Sequence, residues 1–212
     1  MEAYLLLEQP SFPVVYSQES FLPYFCTMIL TDKQILDSIS DGSIVITPFR
    51  RDCLGSNSYD VHLGAALAVY KNHILDARQP NEIDHFTIPP EGTVLHPELL
   101  YLGVTEEYTE TLKHVPFLEG KSSVGRLGID IHATAGKGDV GFKNTWTLEI
   151  SVKQPVRVYG GMPIGQLIYF EVGGECLVPY DQKPNAKYNA LTTKPVESMM
   201  WKNYDWEKGG WK

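Results

Sequence analysis

The chain is poor in cysteine, in blocks of like charge and in long apolar runs. Its three cysteines, Cys26, Cys53 and Cys176, are far apart and form no C-x-x-C pair. A disulfide framework and a zinc knuckle are both excluded, and a reducing cytoplasm is the expected compartment. Lys and Arg number 18 against 26 Asp and Glu, a net charge of −8, and the basic residues are scattered. A nucleic acid polymer would find no electrostatic footprint, whereas a small anion needs only a few converging cations. No stretch nears the ~20 apolar residues of a membrane helix. The leader Met1 to Thr27 carries Glu2 and Glu8 and has no basic n-region, which makes it a poor signal peptide. No repeat of 20 to 50 residues is visible.

The leader is rich in proline and aromatics and has no period; from Met28 the pattern sharpens. Thr31 with Gln34 forms a capping box, Ile35, Leu36 and Ile39 follow at helical spacing, and Gly42 is the stop. Beyond this helix, β patterning takes over. SYDVHLGAALAVY sets Tyr59, Val61 and Leu63 against Asp60 and His62, and HFTI, TVLH, YLGVT and VRVY are further short β runs between PP, EG, GG and KP breaks. The expected fold is mainly β, a distorted barrel or jelly roll with a few short helices. Residues 1–27 read as an extension of unclear role, 28–178 as the barrel, and 179–212 as a C-terminal segment.

Two phosphate-loop motifs occur, and both fail on context. GKGDVG matches G-x-G-x-x-G but leads into KNTWTLEISV, whose period of two puts Trp146, Leu148, Ile150 and Val152 on one face. A dinucleotide loop must open a helix instead. GKSS at Gly120 to Ser123 resembles the end of a Walker A loop, yet Val115 stands where that motif needs its first glycine.

Three features bear chemistry. LEGKSSVGRLGIDIH gathers Lys121, Ser122, Ser123, Gly125 and Arg126, a possible cradle for an oligophosphate or else a polar surface turn. HATAGKGDVGF surrounds Asp139 with small residues, either to let backbone approach a ligand or to make a tight turn. Glu149, on the polar face of an otherwise apolar strand, meets either solvent or a cavity where it can do acid/base work. His132 is a lone histidine at a strand end, without the zinc-deaminase pattern that would make it a metal ligand.

MILTDKQILDSI, SNSYDVHLG, EGKSSVGRLGIDIHATAG, GDVGF, TLEI, GMPIGQLIYF and NAKY together resemble the dCTP deaminases, which share a trimeric distorted β-barrel with the dUTPases. The matches run in order from about Met28 to Tyr188. The resemblance implies that Lys121, Ser122, Ser123, Val124, Gly125 and Arg126 bind triphosphate and surround the base. It implies that Asp139 holds the 3′-hydroxyl, that Thr147 and Leu148 line the nucleoside, and that Glu149 is catalytic. Gln166, Tyr180 and Lys187 correspond to later nucleotide contacts, the last two from a segment closing over the triphosphate. A homotrimer with shared sites, and control by dTTP, are also implied.

Such an enzyme replaces the 4-amino group of cytosine by oxygen, and one carboxyl that alternately accepts and donates a proton, here Glu149, can serve each transfer. Ser122 and backbone near Ala135 would orient the water, and Arg126 would hold charge around Glu149. No zinc is expected; Mg2+ is expected to arrive with the triphosphate. The leading expectation is dCTP to dUTP and ammonia. Gly136, in a T-A-G turn that resembles members forming dUMP and diphosphate, supports the bifunctional alternative. A non-catalytic nucleotide-binding barrel is the third. No glutamine follows the Lys187-Tyr188 pair closely, which removes one triphosphate contact of the family pattern.

Overall fold

A computed structural model describes residues 28–212. The readings made on residues 1–27, including Cys26, lie outside the described residues. Thr31 caps helix α1 (Asp32–Ser40) with the expected capping box to Gln34. Gly42, at φ 76°, turns the chain into the first strand as the break predicts. The helix seats Ile35 fully in the core.

Fourteen strands follow: β1 (Ile44–Thr47), β2 (Tyr59–Tyr70), β3 (Ile83–Thr87), β4 (Thr93–Leu95), β5 (Tyr101–Thr105), β6 (Tyr108–Thr111) and β7 (His114–Gly120). After a single turn of helix, α2 (Ser122–Gly125), come β8 (Ile129–Asp130), β9 (Phe142–Asn144), β10 (Thr147–Val152), β11 (Val156–Val158) and β12 (Pro163–Glu171). Two short strands, β13 (Tyr204–Asp205) and β14 (Gly210–Trp211), close the chain. The main sheet runs β7-β12-β2-β5-β10-β8 with β3 added beside β2, and a second runs β1-β6-β9. Each of these pairs is antiparallel. The result is the distorted, nearly closed barrel that the spacing of β runs implies.

KNTWTLEISV does not stay one strand. The chain leaves β9, paired with β6, at Asn144 and enters β10, paired with β5, at Thr147. The crossing is held by Trp146, whose indole donates to Thr109 Oγ1 (3.0 Å) and whose backbone exchanges bonds with Thr105 (2.9 Å each). In β10 the predicted alternation holds: Leu148, Ile150 and Val152 are buried and Thr147, Glu149 and Ser151 half-buried. Leu148 and Ile150 join Tyr59, Leu63, Leu67, Leu167 and Tyr169 in one core.

The polar side of β2 departs from its sequence pattern. His62 is buried, because Glu107 in the β5–β6 turn accepts both its backbone N–H (2.8 Å) and a bond at Nδ1 (2.7 Å). Alternation reports a two-faced strand but not which polar face a neighbouring turn will cover.

Candidate active site

A cavity of about 830 Å³ opens over the β5–β10 face, lined at its floor by Leu102, Thr147 and Glu149. Register explains the floor: Glu149 pairs with Leu102 across β10 and β5, and Thr147 with Val104. Residues 133–135 and 137–139 form one wall, and residues of the C-terminal segment between Tyr180 and Met199 form the roof. Its lining includes the aliphatic Leu75, Leu100, Val196 and Met199 and the charged Lys137, Asp139, Lys183 and Lys187.

Glu149 accepts the Ala133 N–H through Oε2 (2.9 Å), which ties the carboxylate to the HATAG loop. Asp139 holds two lysines, Lys137 at 2.7 Å on one oxygen and Lys183 at 3.1 Å on the other. The Lys137 ammonium, followed by that of Lys183, keeps the Asp139 carboxyl below the ordinary carboxylate range despite partial burial. Lys183 thereby anchors the start of the roof.

The structure brings Glu149, Asp139, Thr147, Ala135, Tyr180 and Lys187 together on this cavity. Leu148 points into the core, fully buried, so its side chain cannot line a nucleoside; alternation on β10 puts it opposite Glu149. Lys121, Ser122, Ser123, Val124, Gly125, Arg126 and Gln166 do not line the cavity. Ser122, Ser123, Gly125 and Arg126 are exposed on and beside α2, while Val124 is buried beneath it. Lys121 forms an ion pair with Asp60, and Gln166 lies between Asp60 and Glu119 in register. In one chain, then, the expected site residues occupy two separate places.

The glycines of GKGDVG approach protein rather than an open ligand surface. A Cβ at Gly138 would stand 2.7 Å from the Trp146 ring and 2.9 Å from Pro116. At Gly136 it would stand 2.6 Å from the Leu118 carbonyl oxygen and 3.1 Å from His132 Nε2. The Gly136 carbonyl accepts from Leu118 N (2.7 Å) and Gly138 N donates to Pro116 O (2.8 Å), so this loop lies along β7 almost as a further strand. His132 itself is half-buried, its Nε2 3.8 Å from Glu119 Oε2 and its buried Nδ1 unpartnered.

Sequence reasoning missed Lys137, Lys183, Asn144 and Tyr188. The side chain of Asn144 carries backbone groups of the roof, and the Tyr188 hydroxyl accepts Met199 N (3.0 Å). Burial pushes the Tyr188 phenol pKa up. Polar residues that bind distant backbone leave no local pattern.

Among the described residues, His62, Glu106 and Glu107 are the group that could converge on a metal ion. Arg50 Nη2 takes the cation's place there, 2.6 Å from Glu107 Oε1, 3.1 Å from Glu106 Oε2 and 3.0 Å from His62 Nδ1. None of these residues lines the cavity. No helix of the described residues is long and apolar enough to cross a membrane.

The strands form a distorted, nearly closed β-barrel in which the chain switches sheets between β9 and β10. A solved 2′-deoxycytidine 5′-triphosphate deaminase from Agrobacterium tumefaciens superimposes with a TM-score of 0.56 at 20% identity, covering 69% of this chain and 49% of that one. The dCTP deaminase-like family pattern matches residues 29–172. A dCTP deaminase, dUMP-forming, from Clostridium acetobutylicum is 48% identical over 178 residues, 84% of this chain and 99% of that protein. One of the same name from Leptospira biflexa is 51% identical over 148 residues, 70% and 84% of the respective chains. The chain belongs to the dCTP deaminase-like family.

Proposed function

We propose that the protein converts dCTP to dUMP, diphosphate and ammonia by two successive hydrolyses. The carrying observation is a cavity-facing carboxylate, Glu149, in a chain close to half identical to relatives named for forming dUMP. This favours the bifunctional reading over the dUTP product that leads from sequence. Gly136 of the T-A-G turn, which resembles that of dUMP-forming members, supports it too, and a Cβ there would stand 2.6 Å from the Leu118 carbonyl oxygen.

In the first step Glu149 takes a proton from water as its oxygen adds to C4 of the base. It passes that proton to ring N3, then takes the proton of the new C4 hydroxyl as the carbonyl forms and gives it to the departing amine, so that ammonia leaves with dUTP as the intermediate. The Ala133 N–H at 2.9 Å holds the carboxylate in one orientation through these transfers. In the second, water attacks the α-phosphorus and diphosphate leaves. Asp139, held ionised by two lysines, is a weak base and a good acceptor, which fits a contact to the 3′-hydroxyl. Thr147 lies beside Glu149 on the cavity floor, and Tyr180 and Lys187 come from the roof.

Lys137 and Lys183 surround Asp139, so that carboxylate is already paired. Mg2+ therefore belongs to the incoming nucleotide, bound by phosphate oxygens and water. Ser122, Arg126, Lys121, Ser123, Gly125 and Gln166 stand apart from the Glu149 cavity within one chain, which fits their serving the cavity of a neighbour in a homotrimer. A site that takes this triphosphate would also take dTTP as a competing ligand.

The test is to incubate the protein with dCTP and Mg2+ and resolve the nucleotides over time. Stoichiometric dUMP and diphosphate are expected from the first time points. Accumulating dUTP that is never consumed would restore deamination alone, and unchanged dCTP would leave only a binding barrel.

A further inference from the structure

Resting on that reading, we infer that Asn144 is a positioning residue for nucleotide turnover: its side-chain amide suspends residues 188–192 over the cavity that contains Glu149. Asn144 is the last residue of β9 and only 3% exposed. Its Nδ2 donates to the Tyr188 carbonyl (3.1 Å) and to the Ala190 carbonyl (2.9 Å). Its Oδ1 accepts the Thr192 N–H (3.2 Å) and the Thr145 N–H (3.0 Å). Both donors and both lone pairs of the amide are thereby used.

That pattern also fixes which way the amide faces, since a flipped group would set NH2 against two N–H donors. No other side chain reproduces it. Aspartate of the same shape cannot donate to the two carbonyls, glutamine is a methylene too long, and leucine bonds nothing. The neighbouring Thr145 hydroxyl adds a bond to the Thr192 carbonyl (2.7 Å), and Thr147 Oγ1 accepts Val196 N (3.3 Å). Three positions at the β9–β10 crossing, Asn144, Thr145 and Thr147, thus hold the roof, with Asn144 carrying most of it.

The residues beside the suspended peptide belong to the proposed site. Lys187 directly precedes Tyr188 and lines the cavity. Tyr188 N donates to the Tyr180 hydroxyl (3.1 Å), so the latch also sets Tyr180 against the ring of Phe142. Ordinary side-chain hydrogen bonds contribute little singly, but losing two donors that face carbonyls shifts an equilibrium by about tenfold to hundredfold.

The experiment compares the full-length protein with Asn144→Ala, Asn144→Asp and Thr145→Val. Trypsin cleavage after Lys187, at the Lys187–Tyr188 bond, is followed without nucleotide, and steady-state kinetics are measured with dCTP. Cleavage is expected to quicken about tenfold or more in Asn144→Ala, and at least as much in Asn144→Asp, where the carboxylate opposes two carbonyls. The KM for dCTP should rise by a similar factor, with a smaller change in kcat. Thr145→Val, which removes one hydroxyl in an isosteric side chain, should lie between these and the parent. Unchanged cleavage and KM in Asn144→Asp, with its fold intact by circular dichroism, would overturn the inference. The protease measurement needs no turnover, so a protein that fails to make dUMP would refute the proposed reaction and leave the latch separately tested.

Discussion

Glu149 owes its place to its neighbours on the strand. Leu148 and Ile150 on either side are fully buried, so the carboxylate between them must face the cavity. Exchanging it for glutamine keeps shape and removes the proton acceptor. Glu149→Gln is expected to lower deamination of dCTP by at least about a hundredfold while dCTP binding stays measurable by calorimetry. Gly136 is constrained differently, by the Leu118 carbonyl where its side chain would stand. Gly136→Ala should displace the loop that carries Ala133 N and Ala135, reducing dUMP formation about tenfold or more and lowering the melting temperature. An unaltered protein would show that the loop yields without cost. Period two on β10 made Glu149 legible in sequence, and small residues around GKGDVG marked a close approach. What they approach, a proline and a tryptophan of the same chain, is a tertiary fact that composition does not contain.

At the scale of elements, strands were legible wherever one face is apolar, and α1 was legible from its cap. The switch of sheets at Thr145 and Trp146 was not, because its cause is Thr105 and Thr109 some forty residues away. The roof was legible only as a resemblance around NAKY. Its anchors, Asn144 to backbone and Asp139 to Lys183, join residues with no common motif. The second anchor has a pH dependence of definite sign. Asp139 has its pKa lowered in the folded protein by Lys137 and Lys183, so its contribution is fully present above the unfolded carboxyl value of about 3.9. That contribution disappears as pH falls through its own lower value. The carboxylate is more than a third exposed, so solvent screens the pair and the effect is small. Asp139→Asn should melt lower than the parent at pH 6 by no more than about 3 °C, the gap narrowing once the pH drops below about 4. A gap that widened with acid would mean that the lysines do not stabilise the carboxylate.

For the whole molecule, the decisive feature is that residues grouped by one resemblance fall into two places. Glu149, Asp139 and the roof share a cavity, while Ser122, Arg126 and Gln166 lie outside it. If each cavity is completed by the α2 region of a neighbour, two inactive proteins should repair one another. Arg126→Ala supplies an intact Glu149, and Glu149→Gln supplies an intact Arg126. Dissociated together in mild denaturant and reassembled at equal concentrations, random cyclic trimers would pair an intact Arg126 with an intact Glu149 at about one site in four. Activity near a quarter of the parent's, from two parents that have almost none, is the expected outcome. Complementation of this kind is impossible when both residues act within one subunit, because no mixture then contains an intact site. A mixture as inactive as its components, with light scattering showing that mixed oligomers had formed, would place the whole reaction within a single chain. The Lys121 to Arg126 segment would then have to reach Glu149 by a rearrangement of the β7–β8 connection.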